Sequence, residues 1–366
     1  MSIRIVDLIS LAHRTVFLTI LEMPPSNEAA WLYSKATLLE IKPAPYTSPG
    51  EHEIVIRNRA LAINPVDWFQ QAFEHFPMTY PVILGHDTAG TVEEVGKLVT
   101  RFKVGDRVVG NGCGMDSKRN SEGAFQKYTV VPDNVASHIP STVSFEAAAV
   151  IPLGFSTAAC VLYQKDHLAL HYPSVHPKAT GQVLLVWGGS TSVGSNAIQL
   201  GVASGYEVLA TSSPRNFDYV RKLGATQVFD YSSKTVVAEL VEALRGKVVV
   251  GALDAITQNG AIQLCAEVLS KCKVSDSLVS TVLDAEFVGA TNLPDNVKSK
   301  FIWAETLRHN KVGSVVYEDY LHKALEAGTF VSAPDCEVVG SGLEAIQIGL
   351  DALRKGVSAK KIVITL

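Results

Sequence analysis

The sequence has little cysteine and no cysteine motif. Its five residues, Cys113, Cys160, Cys265, Cys272 and Cys336, are scattered, odd in number and never in C-x-x-C spacing. That argues against a disulfide framework or a cysteine-rich zinc lobe, and suits a reducing, cytoplasmic setting. An excess of charge of one sign is also missing. Lys and Arg total 32 against 36 Asp and Glu, a net charge of −4 with no long basic run. Nucleic acid and anionic membrane are therefore poor partners. Nor is there an unbroken apolar run at the N-terminus. IVDLISLAHRTVFLTILEMPP is interrupted at its centre by His13 and Arg14, so residues 1–26 are expected to be an extension rather than a signal or a span.

What is present is an ordinary globular composition, 47% hydrophobic and 19% charged, over 366 residues. That length exceeds one ordinary core and predicts two domains. From Trp31 to about Pro140 the chain is strand-rich. HEIVIRNRALAI alternates, YPVILGHDTAGTVEEVG runs strand–turn–strand, and FKVGDRVVG is a short strand after a turn, which predicts a small barrel-like domain. From about Ser144 the period changes to helix–loop–helix. After the loop HLALHYPSVHPKATGQ, near-continuous apolar strands alternate with helices, starting with VLLVW and a helix expected from Ser195. This pattern predicts an α/β fold, a doubly wound parallel sheet covered on both faces. The tail after about Ser314 is too short for a domain of its own and is expected to return to the first.

The stretch GGSTSVG, 188–194, follows the first of these strands. A helix N-terminus behind a turn of small residues holds phosphate through its N–H groups. Gly189 suits the tight turn and Gly194 close helix packing. Thr191 stands where a second glycine is usual and would crowd a pyrophosphate, while Ser190, Thr191 and Ser192 bring hydroxyl donors. Taken alone, this is equally a plain strand–helix turn. The end of the second strand, Thr211, Ser212, Ser213, Pro214 and Arg215, carries no carboxylate for a ribose 2′-hydroxyl. Hydroxyls and a guanidinium at a helix start suit an ionised 2′-phosphate, which points to NADP rather than NAD. Tyr231, ending the third strand, either covers the adenosine phosphate or is a half-buried aromatic.

With these residues placed, the chain resembles the zinc-independent branch of the medium-chain dehydrogenase/reductase superfamily, in particular quinone reductases and fungal enoyl reductases acting in trans with polyketide synthases. The resemblance runs from about Trp31 to Leu366 through NPVDW (64–68), YPVILGHDTAGTVEEVG (80–96), FKVGDRVVG (102–110), IPLGFSTA (151–158), GGSTSVG, SSPRNFD (212–218), FDY (229–231) and the tail GLDALRKGVSAKKIVITL. It implies a GroES-like catalytic domain over 27–155 and 315–366, with a Rossmann NADP-binding domain over 156–314. It marks GGSTSVG as a Ser/Thr-rich variant of the phosphate turn. It also places NADPH contacts at Pro65, Val66, Asp67, Gly189 to Val193, Ser212 to Arg215, Tyr231, Val282, Leu283, Val357 and Ser358.

The resemblance further implies that Asn64, Asp67 and Thr157 lie near the nicotinamide, with Thr157 bonded to its carboxamide and Asp67 fixing the loop. Trp68, Phe69, Leu153 and Phe155 are expected in the substrate pocket. Positions that bind catalytic zinc in the alcohol dehydrogenase branch hold Asn64, His86 and Leu153, so no metal is expected. Relatives often carry Lys or Tyr where this chain has Phe69, which removes one proton donor. Three readings follow: an NADPH-dependent reductase of an enoyl or enone substrate, such as a polyketide intermediate; a quinone reductase; or a non-catalytic NADPH-binding or synthase-docking protein. Monomers and homodimers both fit the family.

Overall fold

A computed structural model describes residues 25–272, 277–290 and 292–366. The expected N-terminal extension falls almost wholly outside them. The first strands are β1 (Asn27–Leu32), β2 (Glu40–Ala44), β3 (Glu53–Ala62), β4 (Val82–Ile83), β5 (Asp87–Val95), β6 (Arg107–Asn111), β7 (Tyr128–Pro132) and β8 (Ala136–His138). The second half contributes β9 (Gln182–Trp187), β10 (Glu207–Ser212), β11 (Gln227–Asp230), β12 (Val248–Asp254), β13 (Ser277–Thr281) and β14 (Val297–Phe301), and the tail β15 (Asp335–Ser341) and β16 (Lys360–Thr365).

Strands β9 to β14 form one parallel sheet in the order β11-β10-β9-β12-β13-β14. Numbered within the sheet, this is 3-2-1-4-5-6, the dinucleotide-binding order, whose ligand crevice lies where the order reverses beyond the strand ends. Val183 to Trp187 are all buried, as a strand covered on both faces requires. The other half is GroES-like. A seven-stranded sheet runs β15-β16-β3-β5-β6-β8 with β7 on β3, and a three-stranded sheet, β2-β1-β4, lies beside it. The tail does return to the first half, because β16 pairs antiparallel with β3, Val363 opposite Ala62.

Beyond the strand-rich first half, two strands escaped the sequence pattern, β14 and β15. Both lie at sheet edges, where one side needs no partner and lysines such as those of VKSKF are tolerated. The apolar stretch Phe145–Tyr163 is long enough to cross a membrane, but 78% of it is buried inside the protein. Its helix Pro152–Tyr163 joins the two halves through a core shared by Ile56, Val109, Leu162 and Val186.

Candidate active site

A cavity of about 880 Å³ opens between the two halves at the sheet's crevice. One end of it starts with the turn after β9. Gly188, not Gly189, makes that turn, with φ +88. An added Cβ on Gly189 would sit 3.0 Å from Ala210 and Ile198, so this glycine serves close packing and lies outside the cavity wall. Thr191 is the N-cap of the helix Ser192–Ala203, which begins three residues earlier than expected. Its hydroxyl accepts from Gly194 N at 3.0 Å and donates to the Gly188 carbonyl at 2.9 Å. The side chain is folded into its own turn instead of crowding a phosphate, and its proton is committed there. The donors left for an anion are the first N–H groups of the helix and the hydroxyls of Ser190 and Ser192. The Ser192 hydroxyl has no partner within the protein. Such a helix start fits a pyrophosphate.

Gly194 is needed for a different reason: a Cβ there would stand 2.2 Å from the Gly188 carbonyl. Gly194→Ala is expected to displace the turn at a cost of about 1–3 kcal/mol. Dinucleotide affinity, followed by fluorescence titration, should fall by about tenfold or more. An unchanged affinity would show that the turn tolerates the shift.

At the end of β10, Ser212, Ser213, Arg215, Asn216 and Ser358 converge on the cavity. Pro214 opens the 3-10 turn Pro214–Asn216 and stays outside the wall. Asn216, which the sequence did not single out, donates to the hydroxyls of Ser213 (3.2 Å) and Ser358 (3.1 Å), tying the tail to this turn. Tyr231 lines the same end and is half exposed. Asp254, itself fully buried, anchors the wall residues Ile256 and Thr257. One oxygen accepts from Ile256 N and Thr257 N, while burial pushes its carboxyl up to about 6.

At the other end of the cavity the helix Pro65–Phe73 starts with Asn64 as N-cap and Asp67 completing a capping box. Asn64, Pro65, Val66, Phe69, Leu153, Thr157, Val282, Leu283 and Val357 all line the cavity. Thr157 donates to Leu153 O at 2.7 Å, leaving its oxygen lone pairs to accept a further donor. Besides Gly189 and Pro214, three expected residues at this end do not reach the wall. Asp67 is 1% exposed, and its two oxygens accept from Asn64 N and pair with His86. Trp68 packs against a core that includes Leu61, Ile346 and Ile364, and stacks on Phe69. Phe155 is sealed between Tyr317 and Phe330, because it points away from the helix face that carries Leu153 and Thr157.

Behind the wall lies a buried charge network that the sequence did not reveal. His86 Nδ1 lies 3.0 Å from Asp67 and Nε2 3.0 Å from Glu305. Burial alone would lower its pKa, but the two carboxylates outweigh this and raise it to about 10. The ring is therefore an imidazolium. Alongside it, Lys361 is 4% exposed, lies 2.8 Å from Asp87 and donates to the Asn64 amide oxygen. Asn64 in turn donates to Asp87, whose other oxygen accepts Leu153 N. Zinc does not fit this donor set. Both His86 nitrogens are taken up by carboxylates, the Asn64 amide is engaged, and Leu153 offers no ligand atom. Among the described residues, no group of three His, Cys, Asp or Glu side chains forms a metal site. Of the cations on the cavity wall, Lys360 pairs with Asp335 and Lys361 with Asp87, while no ion pair among the described residues engages Arg215, so the end of β10 is where an anion is favoured.

Residues 50–141 match the alcohol dehydrogenase GroES-like domain family and residues 192–272 the zinc-binding dehydrogenase family. The chain is 48% identical to dehydrogenase azaJ of Aspergillus niger over 93% of its length and 99% of that protein. It is 41% identical to trans-enoyl reductase himH of Aspergillus japonicus, over 92% of its length and 97% of that protein. Among solved structures, Escherichia coli quinone oxidoreductase complexed with NADPH superposes with a TM-score of 0.67 at 19% identity, covering 93% of this chain and 100% of that one.

Proposed function

Because this chain belongs to the medium-chain dehydrogenase/reductase superfamily, in the branch of the fungal trans-enoyl reductases and quinone oxidoreductases, we propose that it uses NADPH to reduce an activated C=C bond of an enoyl or enone substrate. An oxidoreductase role rests on the family. NADPH and the acceptor are the finer part of the reading. The observation that carries it is the end of β10, where a free guanidinium, two serines and an amide line the cavity with no carboxylate among them.

When bound, a reduced nicotinamide supplies a hydride. The chain's own residues do the rest. The N-terminus of the helix Ser192–Ala203 and the hydroxyls of Ser190 and Ser192 hold the pyrophosphate, while Arg215, Ser212, Ser213 and Asn216 hold the 2′-phosphate. Tyr231 and Ser358 flank that end. Thr157 accepts from the carboxamide and fixes the ring's orientation. Reduction of an enone places negative charge on its oxygen, which needs donors rather than a Lewis acid. Asn64, held on the cavity wall by the Lys361 ammonium and Asp87, has one further amide N–H to offer as such a donor. A polyketide intermediate, presented by a synthase in trans, is the acceptor class the family suggests.

The test is steady-state NADPH oxidation with an enone, a naphthoquinone and, in reverse, NADP+ with a simple alcohol. Turnover of the enone is expected, unchanged after treatment with a strong zinc chelator. Turnover of the naphthoquinone alone would replace the enoyl reading. NADPH binding without turnover of either acceptor would make the protein a non-catalytic binder.

A further inference from the structure

The half of the cavity away from Arg215 differs in chemistry from the rest: its wall is built of aromatic rings from both halves of the chain. Phe69 comes from the helix Pro65–Phe73, His75 and Phe76 from the turn after it, and Phe301 and Trp303 from the end of β14. The rings meet across the cleft. Phe76 lies edge-on to Trp303 at 4.7 Å between centroids and near-parallel to Phe301 at 6.3 Å. His75 lies edge-on to Phe287 at 4.5 Å. A second cavity of about 420 Å³ continues outward, sharing Phe69 and His75 with the first and adding Phe73, Glu74 and Phe287. Phe73 is 53% and Phe287 60% exposed, an unusual exposure for two phenyl rings at one opening.

The main cavity therefore has two chemistries. One end collects cations and hydroxyls and suits a phosphorylated cofactor. The other offers ring faces and edges, and its outward extension adds a carboxylate and no Lys or Arg. Aromatic walls favour flat π-systems over saturated ones of equal area, because ring quadrupoles reward edge-to-face and offset contact. Uncompensated charge is penalised in such a wall.

We propose that this aromatic band is the acceptor subsite, and that it selects uncharged, flat, extended conjugated acceptors, an enone borne on an aryl or polyene system, over short aliphatic or highly anionic ones. The proposal rests on the reductase reading for the word acceptor. Phe69 then has a positive role: it continues the ring wall instead of supplying a proton.

Binding separates this claim from the reductase reading. The protein, with and without saturating NADP+, is titrated calorimetrically with 4-phenyl-3-buten-2-one, 4-cyclohexyl-3-buten-2-one and 3-penten-2-one, none of which can be reduced by the oxidised cofactor. The phenyl enone is expected to bind about tenfold or more tighter than 3-penten-2-one, and about threefold or more tighter than its cyclohexyl counterpart, which matches it in apolar bulk but not in flatness. Phe76→Leu and Trp303→Leu should abolish the phenyl-over-cyclohexyl preference while leaving NADPH affinity unchanged. Equal binding of the phenyl and cyclohexyl enones, a preference that survives both substitutions, or no binding of any enone would overturn the proposal. Absence of NADPH turnover with the same enones, beside an intact phenyl preference, would instead overturn the reductase reading and leave a flat-ligand subsite.

Discussion

Arg215→Ala is expected to raise the KM for NADPH by roughly 10- to 100-fold and to leave the KM for NADH nearly unchanged, since a charge-assisted hydrogen bond contributes about 1.5–3 kcal/mol. The effect should be large for three reasons. The guanidinium lines the cavity beside Ser212, Ser213 and Asn216. No ion pair among the described residues engages it, so it is not shared with a protein carboxylate. And the end of β10 supplies no acid that would prefer an unphosphorylated ribose. Because Arg215 is exposed, its contribution should weaken as ionic strength rises. Ser213→Asp should push the preference further toward NADH by placing a like charge against the 2′-phosphate. Steady-state constants for the two cofactors decide the matter. A parallel loss with both would mean that Arg215 holds the turn, not the phosphate.

His86→Leu is expected to destabilise the protein by about 3–5 kcal/mol, the usual cost of removing one partner from a buried ion pair. The imidazolium lies between Asp67 and Glu305, both almost fully buried. Without it, two carboxylates face each other across an apolar gap, and the Lys361 ammonium is already paired to Asp87. Glu305 also accepts Asp116 N, so the disturbance should spread to the segment around Met115 on the cavity wall. Adding Glu305→Gln to His86→Leu should recover part of the loss by removing one of the stranded charges. The pH dependence has a definite sign. The folded protein raises the His86 pKa from 6.5 to about 10, so the stabilisation is complete below about 6.5 and is lost as pH rises toward 10. Denaturant unfolding of wild type and His86→Leu between pH 6 and pH 10 should converge at the alkaline end. Parallel curves would show that the ring packs there uncharged.

Much of the cavity lining around Arg215 was legible in the sequence because a turn and two strand ends are local features. A helix start, a turn glycine and the residues after a second strand lie within a few positions of one another, and Ser190 to Val193, Ser212, Ser213, Arg215 and Tyr231 all reach the cavity wall. Where local reasoning misplaced a residue, the cause was helical geometry or turn detail. Phe155 and Trp68 neighbour wall residues in sequence but lie on other faces of their helices, and the left-handed position belongs to Gly188, not Gly189.

The charge network was not legible, because its partners are far apart in the chain. Glu305 is 219 positions from His86, and Lys361 is 297 from Asn64. One sequence signal did exist. An acid beside a histidine in the apolar setting of VILGHDTAG needs a cation, and the lysine entering the buried strand KIVIT is the one that supplies it. The aromatic band likewise joins segments separated by more than two hundred positions, and no periodicity of either segment announces it.

The hydroxyl of Thr191 stitches one end of the phosphate turn to the other before any ligand arrives. A glycine in that place would leave the loop free to wander and make the ligand bear the entropy of ordering it. Here that ordering is already done, so the dinucleotide affinity proposed for this turn would draw in part on preorganisation rather than on contacts alone.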